Sequence, residues 1–188
     1  MRPAPDDESQ ADGQLILALA RRAVETFVRE RRIIKPLSTL PPALDRPAAC
    51  FVSIKTDGSQ LRGCIGTIKP DKNTLAEEII ANAIGAATRD PRFPPVAEAE
   101  LYNLFYSVDV LDQPEPASFE MLDPKTFGVI VEDASGVYRG LLLPDIEGID
   151  TTEQQVAIAM RKAGLVPGTT VKLYRFRVNR FREKTEPD

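Results

Sequence analysis

The sequence predicts an α+β fold, and three observations carry that reading. Apolar residues recur at helical spacing in three separate stretches, near residues 13–34, 74–90 and 151–163. Runs that alternate or are rich in β-branched and aromatic residues stand between them. Two pairs of these runs flank tight-turn signals, Asp57-Gly58 and Asp133-Ala134-Ser135-Gly136, which make neighbours antiparallel. Antiparallel pairs with helices interspersed belong to the α+β class.

Taken in order, residues 1–12 read as a disordered leader and 183–188 as a frayed tail, leaving one domain over 13–182. The first helix, 13 to about 34, carries Ile16, Leu19, Ala20, Ala23, Val24 and Phe27 on one stripe. Its basic end, with Arg29, Arg31, Arg32 and Lys35, suits the negative end of a helix dipole. A proline-rich connector follows, then the hairpin "ACFVSIK-TDGS-QLRGCIG". A two-residue turn at Asp57-Gly58 sets Ile54 opposite Leu61, Val52 opposite Gly63 and Cys50 opposite Ile65 on an apolar face. The mixed face then pairs Lys55 with Gln60, Ser53 with Arg62 and Phe51 with Cys64. Arg62 and Cys64 thus share a face, Cys50 takes the other, and the two thiols do not meet. Gly63 leaves room for something to press on the backbone.

The second helix opens with a Thr74-x-x-Glu77 capping box, buries Leu75, Ile79, Ile80, Ala83, Ile84 and Ala87, and ends before Pro91. "DPRFPP", 90–95, is a rigid loop, because its prolines fix φ and remove donors. "LYNLFYSVDVL" is a half-buried strand with Leu104, Tyr106, Val108 and Val110 on one face, Ser107 and Asp109 on the other. After the second hairpin an acidic loop leads into the helix at 151–163, where Val156, Met160 and Ala163 face inward and Gly164 closes the end. "VKLYRFRVNRF" reads as one final strand with Tyr174, Phe176 and Val178 on one face.

Composition narrows the chemistry. The chain of 188 residues is 43% hydrophobic and 28% charged, as a globular domain is. It shows no bilayer-length apolar run and no signal-peptide core, so a cytoplasmic location is expected. A net charge of −4 disfavours broad contact with a phosphate backbone. The chain has no histidine, which removes Ser-His and Cys-His dyads and the commonest metal ligand.

Three features are candidates for function, each with a structural alternative. Cys64 can be a nucleophilic thiol that Arg62 holds below the usual ~8.5, or a small packed hydrophobe. Asp145, Glu147, Asp150 and Glu153 can hold a hard cation, or can be first-turn acids with Asp150-x-x-Glu153 as a helix cap. The basic, aromatic final strand can stack bases, or can simply cover a core.

"LRGCIGTI", "DPRFPPV" and "RGLLLPDIEGIDTTEQQVAIAMRKAGL", in this order, resemble the AMMECR domain family over residues 14–182. The resemblance implies an antiparallel sheet flanked by helices with a smaller α/β subdomain. It also implies company with Memo-like and radical-SAM proteins, the AmmeMemoRadiSam set, and carries over no metal or cofactor. Family motif positions fall on Leu61, Arg62, Gly63, Cys64, Ile65 and Gly66, and on Asp90, Pro91, Arg92, Phe93, Pro94 and Pro95. The expectation is a small-ligand or partner site on the Arg62/Cys64 face, with Gly63, Gly66, Asp90, Arg92 and Asp145 contributing to binding. Its sharper form is a thiol enzyme with Cys64 as nucleophile and Arg62 as support. The rivals are a non-catalytic adaptor and a regulator linked to nucleic acid.

Overall fold

In a computed structural model, residues 7–56 and 60–183 are described. The helices are α1 (Asp7–Glu30), α2 (Leu75–Thr88) and α3 (Thr152–Lys162). The strands are β1 (Cys50–Thr56), β2 (Gln60–Gly66), β3 (Leu104–Leu111), β4 (Glu115–Ala117), β5 (Gly128–Asp133), β6 (Arg139–Leu142), β7 (Val171–Phe176) and β8 (Val178–Arg182). They form two antiparallel sheets of four strands, ordered β2-β1-β3-β8 and β4-β7-β5-β6. The chain divides into two compact units, one reaching Val110 and resuming at Arg180, the other Leu111–Asn179. The α+β class is therefore as expected, with the smaller unit built on its own sheet.

The first unit packs α1 and α2 on one face of the first sheet. Ala20, Ala23 and Val24 of α1, Ile79 and Ala83 of α2, and Val52, Ile54 and Val108 of the sheet are all fully buried in one cluster. The helix α1 differs from expectation at both ends. Residues 7–12, read above as disordered leader, are helical. At the other end Arg31 turns left-handed, φ 55°, and its N–H bonds the Phe27 carbonyl, so the helix stops at Glu30. The α2 capping box forms as predicted: Thr74 accepts from the Glu77 N–H, and the Glu77 carboxylate takes the Thr74 N–H. Buried Glu78 ties the preceding loop down by accepting from the Thr67 hydroxyl and from the Asp71 and Lys72 amides.

The β1–β2 register departs from the two-residue-turn reading. Thr56 pairs with Gln60 and Lys55 with Leu61, then the register shifts, and Ile54 pairs with Gly63, Ser53 with Cys64, Val52 with Ile65 and Phe51 with Gly66. The expected Phe51–Cys64 pair is therefore wrong by two residues. One of the two comes from the connection, since Thr56 faces Gln60; the turn at Asp57-Gly58 itself lies outside the described residues. The other is a bulge that leaves Arg62 without an opposite number. Each one-residue slip would flip the faces, and two restore them, so Cys64 still faces away from the core. Gly63 lies on the core face, where a Cβ would stand 2.1 Å from the Ala86 carbonyl oxygen of α2. The close neighbour anticipated at this glycine is a helix backbone.

In the second unit α3 lies on β5 and β6, around Val129, Val131, Leu142, Ala159 and Ala163. Its cap is Thr151 with Gln154, one residue later than the Asp150/Glu153 pair proposed above, because the threonine hydroxyl takes the Gln154 N–H. Gln155 and Ala159 are its most buried residues, while Ala163 is buried and Val156 and Met160 pack against the same cluster, as expected of the stripe. Gly164, φ 71°, closes the helix as predicted, with Leu165 N–H bonding the Met160 carbonyl. The predicted single final strand is two strands, β7 and β8, which break at Arg177 and serve different sheets. Alternation alone cannot reveal such a change of partner, because both halves keep the same two-residue period.

Candidate functional site

Strand β2 is an edge of its sheet, so its outward amide groups need partners. The loop after α2 supplies them. Asp90, 4% exposed, accepts the Cys64 N–H at 2.8 Å through Oδ2. Arg62, turned sideways by the bulge, reaches the Pro94 carbonyl at 3.0 Å and pairs with both oxygens of Glu100, at 2.7 and 2.9 Å. Glu100 also accepts the Ala97 N–H, at 2.7 Å, and so fixes the turn that leaves the loop. The two motifs of the sequence are thus one physical unit, a loop that seals a sheet edge.

Arg92 completes it. Its Nε and Nη2 grip the two Asp90 oxygens at 2.9 and 2.7 Å, and its side chain remains 56% exposed. The guanidinium holds the Asp90 carboxyl well below the usual carboxylate range, helped by the Cys64 and Arg92 amides. Phe93 lies between the two cations, with the Arg92 and Arg62 guanidinium carbons 5.5 and 5.9 Å from its ring centre.

Cys64 is half-buried, and its sulfur accepts a hydrogen bond from the Ser53 hydroxyl at 3.2 Å. Burial pushes this thiol up; the Ser53 hydroxyl and the Arg92 charge oppose that without overcoming it, and Asp109 and Asp90 add to it. The expected lowering by Arg62 is therefore overturned. Arg62 spends its charge on Glu100, and the cation that bears on the sulfur is Arg92. Cys50 is fully buried beside Asn82, and burial pushes its thiol up to about 12. Alkylation by iodoacetamide should accordingly reach Cys64 before Cys50, with a midpoint above the ordinary ~8.5. Arg62→Ala should leave that midpoint in place, and Arg92→Gln should raise it. A midpoint below the ordinary value would restore the poised thiolate.

The register also assembles residues that lie far apart in sequence. Cys64, Ser53 and Ser107 stand side by side on β2, β1 and β3, and the next row holds Gly66, Phe51 and Asp109. Arg180 of β8 donates to Asp109 at 2.7 Å. Strand alternation had already put Ser107 and Asp109 on a polar face, but only strand order places them beside Cys64. Gly66 makes room for the Phe51 ring, which a Cβ would meet at 2.2 Å. Asp145 is an exposed residue of the second unit, in a left-handed conformation at φ 55°. Of the acidic loop, Asp150 pairs with Lys125 at 2.9 Å. Among the described residues no three Cys, Asp or Glu converge as a metal site would require, and no helix is long and apolar enough to cross a membrane.

A model of the AMMECR1 family matches residues 17–184. A protein of Thermotoga maritima is 52% identical over 167 residues, covering 87% of this chain and 94% of its own. A protein of Clostridium acetobutylicum is 49% identical over 139 residues, which are 74% of this chain but 29% of that longer one. The crystal structure of an uncharacterized protein from Pyrococcus horikoshii superposes with a TM-score of 0.83 at 35% identity, covering 92% of this chain and 91% of that one.

Proposed function

The chain belongs to the AMMECR1 family, and from that premise we propose that it is a ligand- or partner-binding protein whose recognition face is the sealed β2 edge, with Cys64 a contact and not a nucleophile. The observation that carries this is the Asp90 carboxylate, which grips Cys64 N–H and Arg92 together and leaves the arginine pre-oriented and more than half exposed. A pre-set cation binds without the ordering cost of a mobile side chain. The thiol enzyme is the weaker reading. The sulfur is pushed toward its protonated form, and each neighbouring carboxylate is already committed, Asp90 to Arg92 and Asp109 to Arg180. Neither is placed to accept its proton.

The Memo-like and radical-SAM proteins implied by the family resemblance are the partners to test first. That the domain also forms 29% of a longer relative fits a module that works beside another. The test is biolayer interferometry against the purified Memo-like and radical-SAM proteins of the same genome. Cys64→Ser should keep affinity within about twofold, and Arg92→Ala should weaken it about tenfold, as loss of a charged hydrogen bond does. Loss of binding in Cys64→Ser, together with turnover that follows thiol ionisation, would overturn the reading.

A further inference from the structure

We propose that the outer face of the first sheet, along the row Cys64–Ser53–Ser107 and between Arg92 and Lys55, is a site for one oxyanion group, a carboxylate or a phosphate monoester. This rests on the binding reading above and names what that face would bind.

Ser53 pairs with Cys64 on one side and with Ser107 on the other, so three small polar side chains form a row across three strands. Neighbouring strands lie about 5 Å apart, which makes the row about 10 Å long, the span of a small metabolite or one extended side chain. All three residues are half-buried. Their side chains are too short to meet water far from the sheet, and apolar residues would serve packing better.

Ser53 gives its hydroxyl hydrogen to the Cys64 sulfur. Ser107 Oγ, the Cys64 thiol hydrogen and Arg92 Nη1 donate to nothing among the described residues. The strongest acceptors nearby are spent, since Asp90 receives Arg92 and the Cys64 amide while Asp109 receives Arg180. Unspent donors facing spent acceptors select a ligand that brings oxygen acceptors.

Charge points the same way. Lys55 stands two residues along β1 from Ser53, on the same face, with no ion-pair partner among the described residues. With Arg92 and Arg180 it makes three cations against the carboxylates of Asp90 and Asp109. Among these described residues three cations meet two carboxylates, on a chain whose net charge is −4. Arg92 and Cys64 are linked through one oxygen, Asp90 Oδ2, which holds the arginine at the Cys64 end of the row. Bidentate capture by a clamped guanidinium is the strong form of this contact.

The test is a ¹⁵N-HSQC titration of the full chain with inorganic phosphate and, separately, with acetate, at constant ionic strength. The expected result is saturable shifts at the Cys64, Ser53 and Ser107 amides with at least one of the two, and the better one identifies the class. Arg92→Gln should weaken binding about tenfold, and Lys55→Gln and Ser107→Ala each about threefold. Arg177→Gln, which alters an exposed arginine of the second unit, should change nothing. Lys55→Gln and Ser107→Ala leave the Asp90 clamp intact, so they answer even if Arg92→Gln folds poorly. Linear, unsaturating shifts, or equal losses in Arg92→Gln and Arg177→Gln, would overturn the oxyanion site. In that case, retained partner binding in Cys64→Ser would leave the broader reading standing, so the two failures separate.

Discussion

Gly63→Ala is expected to destabilise the first unit by about 3 kcal/mol, the upper range for overpacking a core. The added Cβ would lie 2.1 Å from the Ala86 carbonyl oxygen and 3.0 Å from its carbonyl carbon. Those atoms belong to the backbone of α2 and cannot rotate aside; the helix must lift from the sheet. Gly66→Ala provides the contrast. Its Cβ meets the Phe51 ring, also at 2.2 Å, but a side chain can change rotamer, and a loss of about 1 kcal/mol is expected. Urea denaturation of the two variants checks this. Equal losses would mean that neither glycine is set by helix contact. Unequal losses would give the motif a physical reason: one glycine admits a helix and the other admits a ring.

Asp90→Ala should be the most damaging change at the site itself, at about 3 kcal/mol. It strands the Cys64 N–H on a sheet edge and removes both anchors of Arg92. A buried donor left unmet costs about 1–3 kcal/mol, and Arg92, being more than half exposed, adds little. Asp90→Asn keeps an acceptor and should cost less. The same carboxylate makes stability depend on pH. Its folded pKa is depressed, first by the Arg92 hydrogen bonds, below an unfolded value near ~3.9. A depressed acid contributes stability that is fully present above its unfolded pKa and is lost as pH falls through the folded value. Wild type should therefore lose stability steeply below about pH 4, and Asp90→Asn should show a shallower slope there. Denaturation midpoints from pH 6 to pH 2 measure it. Parallel slopes in the two proteins would show that Asp90 is not held in its ionised form by this cluster.

Part of the fold was written locally. The capping box at Thr74 and the closing Gly164 each depend on residues within a few positions of one another, and each appears in the structure. The inward faces of β1 and β3 follow from a period of two, and Cys50 and Cys64 fall on opposite faces as expected. What failed were inferences across a gap. A turn signal cannot say how many residues the connection uses, and one bulged residue is invisible in composition, so the register moved by two. Nearness in sequence pairs Arg62 with Cys64. The bulge sends the arginine to Glu100, thirty-eight positions away, and Arg92 takes its place.

By itself, then, the sequence determined the fold class, both ends of α2, the closing end of α3, the apolar faces and the two motifs. These rest on short-range sterics and hydrogen bonding, in which each residue acts on neighbours a few positions distant. Only the tertiary structure decided that the motifs meet at one sheet edge, that Asp90 clamps Arg92 beside Cys64, and that burial outweighs charge at the sulfur. The physical reason is that strand order and desolvation are properties of the packed whole. An amide gains a partner, and a thiol loses its water, only when distant segments come to lie against them.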